Sequence, residues 1–250
     1  MKSTLILSLV LAIGIGAGAA QAKPSAAIVA AVADPARPEA DTKRDADRLP
    51  AQMLEFAGIK PGQTVADFLP GGGYFTRIFA KAVGPKGTVY AVINPPAPDA
   101  KRANPIIAVA EEPAYTNIKI VQGDFATLAL PTSADVIWTS QNYHDLFLTR
   151  FNLDINAVNK AVFNALKPGG YYVVLDHVAA TGAPVVETAN TIHRIDPAVV
   201  RKQLEAAGFK YVGESKLLFH PGDDHTKFVF DPALRGHTDQ FIYKFQRPRK

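Results

Sequence analysis

The chain has 250 residues, of which 48% are apolar and 20% are charged, a balance that excludes intrinsic disorder as its main state. The formal net charge is +4, and the sequence has no long basic stripe that would indicate a nucleic-acid partner. Cysteine is absent, so disulfides and a cysteine-linked lipid anchor are both excluded.

The first 22 residues are typical of a secretory signal peptide. Lys2 gives a basic start, residues 5–20 are mostly apolar, and Ala20 and Ala22 form a small-x-small cleavage site. The apolar run is shorter than the roughly 20 residues that a membrane-spanning helix needs. We therefore expect cleavage after Ala22, export across the inner membrane, and a periplasmic protein without stable membrane insertion.

The remaining sequence divides into an arm and one domain. Residues 23–48 are rich in alanine, proline and charge, and they predict an N-terminal arm with one short helix. Residues 49–250 are assigned to a single domain, whose first helix starts at Pro50 and stops at Gly58. Short β-branched runs then alternate with amphipathic segments. Strands are predicted at 64–68, 88–93, 118–121, 134–138, 171–175, 211–219 and 240–245, and helices at 74–83, 99–111, 154–166 and 197–207.

This alternation predicts an α/β fold. The strands are almost entirely apolar, which indicates a Rossmann-like, seven-stranded and mostly parallel sheet with helices on both faces. The last strand is expected to be antiparallel. Because ligands of such sheets bind beyond the carboxyl ends of the strands, polar residues immediately after a strand are the candidate site residues.

A glycine-rich loop follows the first strand. It contains Asp67, Gly71, Gly72 and Gly73 and leads directly into a helix. Glycines allow the backbone to approach a ligand, and the free N–H groups of a helix N-terminus bind anionic groups. The context favours nucleotide binding, although plain strand-to-helix turns also contain glycines.

With motifs farther along the chain, this loop resembles the first motif of the class I S-adenosylmethionine-dependent methyltransferases, an acid followed by three alternating glycines. Asp67, Gly71 and Gly73 match that motif. Four further segments look like a bacterial group of predicted, often exported, methyltransferases: 70–76, 142–145, 193–196 and 223–232.

The resemblance implies a methyltransferase fold, S-adenosylmethionine as cofactor and methyl transfer to a small molecule. It implies that Asp67 and the backbone of residues 71–73 hold the methionine part of the cofactor. Asp124 and Phe125 would border the adenine, and Asn94 would lie near the ribose.

Two departures from the family pattern leave a second hypothesis open. Leu69 occupies the position of the first family glycine, and Ile93 that of the acid that binds the ribose hydroxyls. Loss of a buried carboxylate removes about 1.5–3 kcal/mol for each charged hydrogen bond. The alternative is a repurposed fold that no longer uses S-adenosylmethionine and performs acid–base chemistry on, or simply binds, another small ligand in the periplasm.

The richest polar cluster, residues 140–145, follows the fourth strand. His144 is the candidate base or positioning residue for a methyl acceptor, with Asp145 as its orienting partner. Asn142 and Tyr143 are candidate substrate contacts. In the alternative structural interpretation, Asn142 and Asp145 cap the next helix and His144 is a hydrogen-bonded turn residue.

Further candidates lie at the end of the fifth strand and beyond it. Asp176 and His177 are adjacent, so at most one of them is expected to face the site; His177 is the catalytic candidate and Asp176 a substrate contact. His193 and His225 are further candidate substrate contacts. Residues 220–239 are expected to form a loop insertion over the ligand edge. Their histidines and aspartates follow no metal-ligand spacing, so no metal site is predicted.

Overall fold

The computed structural model describes residues 23–95 and 101–249. The predicted signal peptide and the first residues of the predicted 99–111 helix lie outside the described residues. The strands are β1 Thr64–Phe68, β2 Thr88–Ile93, β3 Ile118–Gln122, β4 Ala134–Ser140, β5 Leu166–His177, β6 Lys210–Ser215 and β7 Gln240–Gln246. The α-helices are α1 Ala26–Val32, α2 Glu39–Thr42, α3 Asp45–Arg48, α4 Pro50–Ala57, α5 Tyr74–Val83, α6 Pro105–Glu111, α7 Ile155–Ala165, α8 Val185–Ile192 and α9 Pro197–Ala206.

The seven strands form one sheet in the order β3-β2-β1-β4-β5-β7-β6. Neighbouring strands from β3 to β5 pair in parallel, whereas β7 is antiparallel to both β5 and β6. The predicted α/β fold with a mostly parallel sheet and an antiparallel last strand is confirmed. The carboxyl ends of the parallel strands therefore meet at one edge of the sheet.

Local sequence explains where most elements begin and end. Asp154 and Asp196 accept hydrogen bonds from the first backbone N–H groups of α7 and α9, as N-caps do. Gly58 ends α4 with a φ of 80°, a left-handed conformation that glycine adopts without a steric penalty.

Several elements differ from the sequence prediction. The arm holds three helices, α1 to α3, instead of one, and β6 ends at Ser215 instead of 219. β5 begins at Leu166, upstream of the predicted 171, because Gly169 and Gly170 pair with Arg247 instead of turning the chain. The helix expected over 99–111 begins at Pro105, where Asn104 caps it. The α8 helix was not predicted.

Helices cover both faces of the sheet. On one face, α1, α4 and α5 pack over a buried cluster that includes Phe79 and Trp138. On the other face, α7 and α9 cover a second cluster that includes Phe68 and Phe245. Within the described ranges, no helix is both long and apolar enough to cross a membrane.

The N-terminal arm is attached to the domain by polar contacts. Arg37 pairs with Asp45, and the Tyr74 hydroxyl of α5 donates a hydrogen bond to the same carboxylate at 2.6 Å. Arg48 donates to Ser140 Oγ at the end of β4. The arm therefore lies against the carboxyl edge of the sheet and brings two of its arginines, Arg44 and Arg48, to that edge.

Candidate active site

A cavity of about 350 Å³ opens at the carboxyl edge of the sheet. The glycine loop after β1 forms one wall, and the turn after β4 forms the opposite wall. Side chains of the arm and of the connection between β6 and β7 complete it, the latter through Val229 and Phe230. Most of the polar groups predicted at strand ends thus meet around one space.

The glycine loop presents bare backbone to this cavity. A Cβ atom at Gly71 or Gly72 would meet no other atom within 4 Å, so these two positions leave room for a ligand. Gly73 is different, because a Cβ there would lie 2.9 Å from Ile106 Cδ1. Leu69 adopts a φ of 62°, so the chain takes the left-handed conformation at the first family glycine although a side chain is present.

Asp67 is the buried acid at the base of the loop. Its Oδ2 accepts a hydrogen bond from Thr76 Oγ1 at 2.6 Å, and no donor among the described residues contacts Oδ1. Burial raises the pKa of Asp67 to about 7, against the weaker opposing effects of Thr76 and Arg48. A cationic group in the cavity would stabilise the charged carboxylate, so the base of the loop suits a ligand ammonium.

These features fit the methionine end of S-adenosylmethionine. Asp67 offers a free carboxylate oxygen to an amino group, and Gly71 and Gly72 leave space for the chain that carries it. Arg48, half-buried in the cavity wall, can contact a carboxylate. At the position expected to bind the ribose, Ile93 is buried and its side chain offers no hydrogen-bonding group. The match between the cavity and the cofactor therefore rests on the residues around the methionine end.

His144 is held in place by a carboxylate from the neighbouring strand. Its backbone N–H and its Nδ1 each contact Asp176 at 2.8 Å. Asp176 is fully buried at the end of β5 and does not line the cavity. Asp176 therefore orients His144 through Nδ1, and Asp145, the predicted partner, lies 3.4 Å from Nε2 on the other side of the ring.

His144 and Asp176 shift each other's pKa in opposite directions. Burial is the largest influence and disfavours the imidazolium, but the carboxylates of Asp176 and Asp145 together outweigh it and raise the pKa of His144 above its ordinary value. Conversely, burial would raise the pKa of Asp176, and His144 lowers it. The arrangement keeps a charged carboxylate behind an imidazole whose other nitrogen, Nε2, points away from it, as a general base requires.

Two more histidines line the cavity. His193 follows α8, and its Nδ1 lies 3.1 Å from His144 Nε2. His177 contacts Thr238 Oγ1 at 2.7 Å through Nδ1, and burial lowers its pKa to about 3. His177 is therefore neutral at physiological pH, and as a cavity residue it can form hydrogen bonds rather than carry charge.

Asn142 and Tyr143 are adjacent but have different environments. Asn142 lines the cavity, and its Nδ2 donates to the carbonyl of Leu69 at 2.8 Å, which joins the two walls. Tyr143 is fully buried in the core, where its hydroxyl contacts Gln203 and Asn159. The geometry therefore supports a ligand contact for Asn142 and a structural role for Tyr143.

Besides Gly73, Tyr143 and Asp176, four predicted site residues lie outside the cavity wall. Asp124 caps a short 3-10 helix by accepting from the Ala126 backbone, and Phe125 packs against Phe68 in the core. Asn94 follows β2 at the same edge of the sheet but does not line the cavity. His225 contacts Asp239 at 3.0 Å instead.

Sequence reasoning missed the arginines of the site. Arg44, Arg48 and Arg150 line the cavity, the first two from the arm and the third from the turn after β4. The spacing of Arg44 and Arg48, one helical turn apart, is the one pattern that could have indicated a shared face. Phe230, which also lines the cavity, lies within the segment that was expected to cover it.

The sequence is similar to those of known methyltransferases. The methyltransferase domain family model matches residues 66–174, from β1 to β5. The chain is 30% identical over 183 residues to the ubiquinone/menaquinone biosynthesis C-methyltransferase UbiE of Hydrogenovibrio crunogenus, covering 70% of this chain and 66% of that protein. It is 27% identical over 189 residues to UbiE of Ectopseudomonas mendocina, covering 72% and 68% respectively. The chain thus spans about two thirds of the length of these relatives.

Solved structures share the fold at low identity. A SAM-dependent methyltransferase from Aquifex aeolicus matches with a TM-score of 0.57 and 19% identity, over 83% of this chain and 98% of that one. The [4+2]-cyclase SpnF matches with a TM-score of 0.58 and 19% identity, over 82% of each chain. Because SpnF is named as a cyclase, the fold alone does not define the reaction.

Proposed function

Because this chain belongs to the class I S-adenosylmethionine-dependent methyltransferases, we propose that it transfers a methyl group from S-adenosylmethionine to a small molecule. The observation that carries the proposal is the placement of Asp67 and the glycine loop across one cavity from His144. A cofactor cradle and an activating group thus share a single space of about 350 Å³.

The cofactor wall has three parts. The free Oδ1 of Asp67 binds the amino group of the methionine end, Arg48 binds its carboxylate, and Gly71 and Gly72 allow close backbone approach. The bound cofactor supplies a methyl group on a positively charged sulfur. The main requirement on the protein is then to hold the acceptor in line with that methyl group.

The acceptor wall supplies the proton acceptor. Asp176 orients the His144 ring, whose Nε2 lies 3.1 Å from His193 Nδ1 in the cavity wall. The bound cofactor would supply the methyl group and its sulfur would keep the electron pair of the broken bond, while His144 would accept the proton that the acceptor atom gives up. General base assistance of this kind contributes about 10²–10⁴-fold to the rate.

The cavity also indicates the chemistry of the acceptor. Arg44, Arg48 and Arg150 line it beside three aspartates, so the cavity suits a polar acceptor whose developing charge can pair with an arginine. The UbiE relatives are named as C-methyltransferases of ubiquinone and menaquinone biosynthesis. We propose for this chain a small molecule with an ionisable hydroxyl or similar group.

Calorimetric titration with S-adenosylhomocysteine and S-adenosylmethionine tests the proposal. The wild-type protein should bind both with one site per chain, and Arg48→Met should weaken binding because it removes the donor for the carboxylate. Lys81→Met, a substitution on the outer side of α5 where Lys81 pairs with Asp34, is the matched control and should bind like wild type. Absence of binding at millimolar ligand would refute the proposal in favour of the fold without the cofactor.

Export is a separate proposal that rests on residues 1–22. We propose that the chain is cleaved after Ala22 and acts in the periplasm, because the first residues combine a basic start, an apolar centre and a small-x-small site. N-terminal sequencing of the protein from fractionated cells should find Lys23 as the first residue in the periplasmic fraction. Uncleaved protein confined to the cytosol would contradict it.

A further inference from the structure

Three side chains from two separate segments converge at the acceptor wall. The ring atom Nε2 of His144 lies 3.1 Å from Nδ1 of His193 and 3.4 Å from Oδ1 of Asp145. The remaining pair, His193 Nδ1 and Asp145 Oδ1, is 3.7 Å apart. Each of the three atoms can donate a lone pair, and together they form a small triangle.

The size of this triangle matches that of a metal site. Two ligand atoms of a tetrahedral zinc ion, with bonds of about 2.0–2.1 Å, are about 3.3–3.4 Å apart. The distances of 3.1, 3.4 and 3.7 Å bracket that value. A direct hydrogen bond between the two imidazoles accounts for the shortest contact only, and leaves the Asp145 oxygen unused.

The surroundings of His144 are those of a metal ligand. Its Nδ1 contacts the buried carboxylate of Asp176 at 2.8 Å, which fixes the tautomer that leaves Nε2 free as a ligand. The Asp176 carboxylate is in turn held by the backbone N–H groups of His144 and His177. A carboxylate behind a ligating histidine is the usual way in which proteins orient metal ligands.

His193 is held in the site by its backbone. It adopts a φ of 56°, an uncommon conformation for a residue with a side chain, at the junction of α8 and α9. The rings of Phe228 and Phe230 pack beside it with centroids 5.5 and 5.8 Å away. The turn therefore directs the imidazole of His193 toward His144.

We propose that His144, Asp145 and His193 bind one divalent ion of the zinc class, with a fourth ligand position open to the cavity. All three residues line the cavity, so that position is accessible to a substrate oxygen, nitrogen or sulfur, as in catalytic zinc sites. Two histidines and one carboxylate also suit iron(II), but the near-tetrahedral spacing favours zinc.

Binding of the ion does not depend on the proposed methyl transfer, but a catalytic role for the ion rests on that proposed function. An ion bound to Nε2 of His144 takes the lone pair that would otherwise accept a proton. An acceptor hydroxyl bound to such an ion would give up its proton to solvent more readily, so the ion would take over the activating role from the free imidazole. The sequence indicated no such site, because the ligands are separated by 49 residues in the chain.

Metal titration of the full chain, freed of metal with a chelator, tests this inference. We expect one zinc ion per chain by calorimetry, and an intense visible absorption of four-coordinate cobalt when cobalt replaces zinc. His193→Asn, which tolerates the left-handed backbone, and Asp145→Asn should each weaken zinc binding at least about 10–100-fold and abolish the cobalt absorption. His237→Asn alters an exposed histidine outside the cluster and should bind zinc like wild type.

Equal zinc affinity in wild type and both ligand variants, or no stoichiometric binding by wild type, would overturn the site. The two ligand variants lie on separate segments, so one that fails to fold leaves the other as the test. Titration with S-adenosylhomocysteine separates the two proposals. If the protein binds this ligand but no zinc, only the proposed metal site is refuted. If it binds zinc but not this ligand, only the proposed cofactor binding is refuted.

Discussion

The raised pKa of Asp67 makes cofactor binding dependent on pH. With a pKa of about 7, roughly one tenth of the molecules carry the charged carboxylate at pH 6 and roughly nine tenths at pH 8. A ligand ammonium that pairs with the carboxylate binds only the charged form. The apparent affinity of the wild-type protein should therefore fall about tenfold, or about 1.4 kcal/mol, from pH 8 to pH 6.

The Asp67→Asn variant isolates this effect. The amide has the same shape and can still accept the hydrogen bond from Thr76, but it carries no charge. At pH 8 the variant should bind S-adenosylhomocysteine about 1.5–3 kcal/mol more weakly, the value of a charged hydrogen bond. Its affinity should lack the tenfold fall, since ionisation of the ligand itself affects both proteins equally.

Calorimetric titrations of both proteins at pH 6, 7 and 8 measure the difference. A parallel loss of affinity in wild type and Asp67→Asn would refute the reasoning, because the carboxylate would then not contact the ligand. Chemical unfolding gives a second measure. The folded protein binds the Asp67 proton more tightly than the unfolded chain, so this residue's contribution to stability is greatest below about pH 4 and is lost as pH rises through about 7. Asp67→Asn should reduce this pH dependence.

Three further substitutions test other parts of the structure. Gly72→Ala should leave the melting temperature almost unchanged but weaken ligand binding, because the new Cβ enters open space beside the cavity. Gly73→Ala should lower the melting temperature, because its Cβ would contact Ile106. Thermal melts and titrations distinguish the two variants. Asp223→Asn should cost about 3–5 kcal/mol in urea unfolding, since it leaves the fully buried Arg194 without its carboxylate. His144→Ala should lower turnover by about 10²–10⁴-fold while S-adenosylhomocysteine still binds, and equal turnover would contradict its assigned role.

The sequence predicts the fold well because the relevant information is local. The bounds of β1 and α5 follow from an apolar run and from glycines at the helix ends, and both were predicted to the residue. The α8 helix was missed because it lacks the usual end signals: Pro184 precedes it without a side-chain cap, and His193 instead of a glycine ends it. Periodicity also could not predict the upstream extension of β5, which depends on pairing with Arg247 near the other end of the domain.

The site is less predictable because its contacts join distant segments. The position of His144 after a strand indicated a role in the cavity, but its neighbour Asp145 was chosen as the orienting partner. The carboxylate that contacts Nδ1, Asp176, is 32 residues away and is brought close by the pairing of β4 with β5. The same limit applies to Arg48, whose contact with Ser140 spans 92 residues.

The interior position of β7 constrains the order in which the sheet can be completed. β7 follows all the other described strands in the chain, yet it lies between β5 and β6. Until it emerges from the ribosome, β5 has an open edge and β6 has no partner, so the nascent chain cannot close its sheet.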